Sequence, residues 1–161
     1  MSYSAFTDAE MNLCRNAVES AEYVRVAARS VVKVLQDTFA KPHPTRHWGV
    51  KLDISDNDVF LLETPFGKGK GRLDLHIDAT GTVGRYVILK ELTDSKDETS
   101  MREVWAFKVS RDGVISHGDN GEHSFDLHGF DEEDWKGRLA QSIFYAIARS
   151  VPGTDHRSRM E

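Results

Sequence analysis

The sequence has one cysteine, four prolines and no long apolar run in its 161 residues. A single thiol, Cys14, excludes a disulfide framework and a Cys-x-x-Cys site within one chain. It fits a reducing compartment. No apolar stretch approaches the ~18 residues that a membrane-crossing helix needs, so no membrane partner is expected. The opening MSYSAFTDAEMN has neither the basic start nor the apolar stretch of a secretory leader. A cytoplasmic location is the resulting expectation.

Positive charge is also short. Lysine and arginine number 21 against 26 acidic residues, a net charge of -5, and the basic residues are scattered. That distribution speaks against a dedicated nucleic-acid binder, which carries a basic face. Gly-x-Ser-x-Gly, His-Glu-x-x-His and the EF-hand loop are all missing. No metal or cofactor is expected, and the chemistry of an enzyme has no motif to stand on.

What is present is a chain with 39% apolar and 29% charged residues, the balance of a folded domain. It reads as one α+β domain over residues 1–152, followed by a polar C-terminal tail, 153–161. The first block is a long N-terminal helix. Thr7 and Glu10 form a T-x-x-E capping box, with Phe6 and Met11 placed as a hydrophobic staple. From Leu13 and Cys14 through Val18, Val24, Val31 and Leu35 to Phe39, apolar residues recur at helical steps on one face. Cys14 on that stripe reads as a small buried hydrophobe. Pro42 biases Lys41 toward an extended backbone and ends the helix.

Such a helix is too long for its domain. Roughly 33 residues at ~1.5 Å each span about 50 Å, against a diameter of about 40 Å for a globule of this size. Two resolutions are open: a break near Asn16–Ser20, or a homodimer that covers the N-terminal half of the helix.

The second block, residues 47–128, is a run of about six to seven short strands with turn signals between them. No crossover helix fits between strands, so they form an antiparallel meander. Ser95–Glu103 could hold a short helix instead. The third block is a C-terminal helix capped by Asp131, with Trp135, Leu139, Ile143, Phe144 and Ile147 on its buried face. Both helices are expected on one face of the sheet, and Trp48, Trp105 and Trp135 in the core. In element order this resembles the helix-grip and cystatin-like arrangements and the dimeric chaperones that hold secreted effectors. No motif accompanies the resemblance, and no family is assigned on it.

One stretch bears on function: TPFGKGKGRLDLHID, residues 64–78. Its glycine-rich part reads as a hairpin loop carrying Lys68, Lys70 and Arg72. It fails as a phosphate loop, because Lys70 is followed by Gly71 and the segment opens a strand rather than a helix. Beyond it, Leu73, Leu75 and Ile77 should face inward, and Asp74, His76 and Asp78 should face water. His117, Asp119, Glu122, His123, Asp126 and His128 are rich in ligand atoms, but in a strand they diverge to two faces.

The sequence therefore points to a non-enzymatic binding module, homodimeric through the N-terminal helix. Its partner is a protein or a small anionic ligand, nucleotide or phosphorylated, held by Lys68, Lys70, Arg72, His76 and Arg85. The alternative is a small phosphoester-processing enzyme that joins the Asp74/His76/Asp78 face to the Lys68/Lys70/Arg72 loop.

Overall fold

The computed structural model describes residues 2–41, 48–55, 58–119, 123–127 and 132–149. Helix α1, Asp8–Arg15, leads into α2, Ala17–Ala40. Seven strands follow: β1 Lys51–Ile54, β2 Val59–Thr64, β3 Gly67–Asp78, β4 Gly81–Thr93, β5 Thr99–Ser110, β6 Val114–His117 and β7 His123–Asp126. Helix α3, Glu132–Ala148, completes the order. All neighbours pair antiparallel in sequence order, giving one seven-stranded meander. Both α2 and α3 pack on the same face and against each other, as the layer pattern predicts.

The long N-terminal helix is broken at Asn16, whose backbone (φ -103°, ψ 5°) leaves the helical region. Of the two resolutions read from the sequence, the break is present. The capping box is complete: Thr7 Oγ1 accepts from the Glu10 amide at 3.2 Å, and Glu10 Oε1 accepts from the Thr7 amide at 2.8 Å. Lys41 takes the extended backbone expected of a residue before proline (φ -82°, ψ 146°) and ends α2.

The apolar stripe does not stay buried along its length. Val24, Val31, Val32, Leu35 and Phe39 are buried in α2. No residue of α1 is buried, Cys14 is exposed, and Val18 is 87% exposed. The expectation of a buried Cys14 is thus corrected, because α1 lies beyond the sheet that covers the rest of the stripe.

The core joins α2, α3 and the inner residues of the central strands, among them Phe60, Leu62, Tyr86, Ile88, Phe107 and Val109. Trp135 is buried, while Trp48 and Trp105 pack against the core from its margin. Strand β4 is buried on its other face too, at Val83, Val87 and Leu89, which lie outside the main cluster. Register sets Lys70 opposite Leu89 and Arg72 opposite Val87. Long cationic side chains lay their apolar stems over such surfaces. This explains the near-continuous apolar run VGRYVIL in the sheet's central strand.

Ser95–Glu103 holds no helix. Strands β4 and β5 pair out to Thr93 and Thr99, and Asp94 closes the turn by accepting from the amides of Lys96 and Glu98. An Asx turn supplies the connection that the polar run left ambiguous. The cap Asp131 and the tail 153–161 lie outside the described residues.

Candidate functional site

The glycine-rich segment is a strand and not a loop. The turn falls at Pro65–Phe66, and β3 starts at Gly67, pairing with β2 over Gly67–Arg72 and with β4 over Gly69–Asp78. A methyl group on Gly69 would lie 2.6 Å from Ile147 Cδ1, and one on Gly71 would overlap the Phe60 ring. The glycines are there because a helix side chain and an aromatic ring lie directly on the strand backbone. The alternate lysines simply occupy the other face.

That face carries one continuous row: Lys68, Lys70, Arg72, Asp74, His76 and Asp78, all at even positions of β3. The water-facing orientation of His76 holds. Leu73 and Leu75 are half-buried, but Ile77 is exposed, since the strand outruns its cover near the hairpin end.

The charged groups of the row are largely engaged. Arg72 donates to Asp74 through Nε and Nη2, at 3.1 and 3.3 Å. Arg85, opposite Asp74 in register, instead donates to Asp119 through Nε and Nη2, at 2.9 and 3.0 Å. Hydrogen bonds from Arg85 hold the Asp119 carboxyl below the usual carboxylate range, with Lys108 and His76 adding to the effect. The Thr80 hydroxyl, backed by its amide, lowers Asp78 in the same sense. Asp78 therefore caps the β3–β4 turn. The structure brings Asp74, His76, Arg85, Lys108 and Asp119 onto one open face, and it gives neither Asp74 nor Asp78 a hydrogen bond to His76 among the described residues. Lys68 faces Glu63 across the β2–β3 pair. In the second histidine-rich segment, Glu122 and His128 lie outside the described residues. No group of three acidic, histidine or cysteine side chains suited to a metal occurs among those described.

A second polar site lies elsewhere. A cleft of about 390 Å³ opens between α2 and the β1–β2 connection, lined by Arg29, Val32, Ile54, Ser55, Asp58 and Val59, with Tyr86 as its floor. Asp58 sits at φ +60°, a conformation that Asp tolerates better than most residues. Its carboxylate meets Arg25 Nε and Arg29 Nε, each at 3.5 Å. Burial, and then the Asp58 charge, push the Tyr86 phenol well above its ordinary pKa, with Arg29 opposing. Sequence reasoning missed this site. Its one signal is a tyrosine in an otherwise aliphatic buried strand, whose hydroxyl requires a polar neighbour.

Comparison of the chain with protein-family models, curated proteins and solved structures finds no match in any of the three. No helix of the described residues is long and apolar enough to cross a membrane.

Proposed function

We propose that the chain is a non-enzymatic binding module that pairs with a second copy of itself through its N-terminal helix. The observation that carries this is a fully capped helix with nothing buried: α1 has a complete capping box, yet Phe6 is 77% exposed and Met11 51%. An isolated helix of eight residues is marginal in water, so its order calls for a contact along its apolar side. Tyr3 and Val18 extend the exposed patch on either flank. Charge favours a copy of the same chain. Asp8 and Glu10 lie in the first turn and Arg15 in the last. An antiparallel two-fold pairing sets Arg15 of one copy opposite the acidic turn of the other.

The enzyme reading draws less from the geometry. Asp74 is held by Arg72 and Asp78 by Thr80, so neither of these carboxylates orients His76 as a base would need. In the small-anion version Lys68 and Lys70 remain the available cations, on a flat strand face. Sedimentation velocity on the intact chain at tens of micromolar tests the proposal, with a Met11→Lys/Val18→Lys variant beside it. A dimer that the double variant converts to monomer, with unchanged far-UV circular dichroism, is expected. A monomeric wild type removes the pairing. Hydrolysis of p-nitrophenyl phosphate that His76→Ala abolishes would install the enzyme reading in its place.

A further inference from the structure

We propose that the cleft between α2 and the β1–β2 connection binds a small monoanion with an apolar body, a short-chain or aromatic carboxylate. At about 390 Å³ it falls within the ~300–1,000 Å³ typical of small-molecule sites. Its walls supply the apolar contact through Val32, Ile54 and Val59.

The floor supplies an unused donor. Tyr86 is 1% exposed, and its ring is fixed between Phe107 (centroids 5.1 Å apart, stacked) and Phe60 (5.5 Å). Its hydroxyl has no hydrogen-bond partner among the described residues, and the residue lines the cleft. The hydroxyl reaches the cleft while the rest of the residue is enclosed, so a ligand oxygen there would supply the partner it lacks. Because burial and Asp58 disfavour the phenolate, the group stays protonated and donates.

The rim sets the sign of the ligand. Arg25 and Arg29 face the single carboxylate of Asp58, so among these three groups one positive charge is left over. Both arginines approach Asp58 most closely through Nε, which leaves the terminal nitrogens of the Arg29 fork for a second carboxylate. Asp58 in turn opposes a dianion. An acceptor head with one negative charge and an apolar tail satisfies all three constraints.

The site is separate from the helix pairing, and neither proposal needs the other. Isothermal titration calorimetry and ¹H–¹⁵N correlation spectra, with hexanoate and benzoate as probes and hexanol and hexylamine as controls, test it. Saturable carboxylate binding is expected, with amide shifts centred on Ser55, Val59 and Tyr86. Tyr86→Phe, which keeps the ring, and Arg29→Gln, on an exposed helix position, should each weaken it about tenfold, the scale of one charge-assisted hydrogen bond. Thermal unfolding of both variants checks that they fold. No saturable binding of either carboxylate, hexylamine or hexanol binding as tightly as hexanoate, or equal affinity in folded Tyr86→Phe would each overturn the proposal.

Discussion

Gly71 and Gly137 are the same residue under opposite constraints. A methyl group at Gly71 would enter the Phe60 ring, whereas one at Gly137 in α3 meets nothing within 4 Å. Gly71→Ala should therefore destabilise by about 1–3 kcal/mol, the usual cost of overpacking. Gly137→Ala should stabilise by about 0.5–1 kcal/mol, through helix propensity. Urea unfolding midpoints moving in opposite directions would check the pair.

Asp119 gives a test in pH. Its folded pKa is depressed by Arg85, so the contribution is present above the unfolded carboxylate value of ~3.9 and fades as pH falls through the lower folded value. Asp119→Asn should be less stable than wild type at pH 7, by no more than about 1 kcal/mol for so exposed a pair, and the gap should close in acid. A gap that persists at pH 2 contradicts the assignment. At this scale the Asp74, His76 and Asp78 part of the outward row was legible, because β3 alternates with a period of two, while the glycines made its Lys68–Arg72 part read as a loop. Register was not: nothing local places Phe60 on Gly71 or Arg85 beside Asp119, 34 positions away.

The two helical pieces of the N-terminal segment divide at Asn16 what the sequence joins. Helical spacing told which face of the segment is apolar, and the Thr7–Glu10 box told where it starts. Neither tells what covers that face, because coverage depends on where the sheet ends. The same limit hid the cleft, whose walls come from α2, from the β1–β2 connection and from β4. Val24, buried against the sheet at Gly84, should cost on the order of 2 kcal/mol when changed to alanine. Val18→Ala should leave the stability of one folded chain within about 0.5 kcal/mol. Thr7→Ala removes the cap of α1, a loss of about 0.5–2 kcal/mol of helix. If α1 is the pairing element, that loss appears as weaker dimerisation, measurable by dilution, rather than as a disrupted sheet.

For the molecule as a whole, helix, meander and helix form two layers, with the charged row of β3 on the outer side and the apolar residues of α1 left over at one end. The seven-stranded order was readable from turn signals and from the lack of any crossover. The cleft and the uncovered helix both arise from how the layers meet, and the sequence carries no separate mark for either. Pairing through α1 is the claim on which the functional reading rests, and sedimentation equilibrium from about 1 to 100 micromolar addresses it most directly. A mass that rises toward twice that of one chain, and stays at one chain in Met11→Lys/Val18→Lys, is the predicted result. A wild-type mass equal to one chain across the whole range contradicts it.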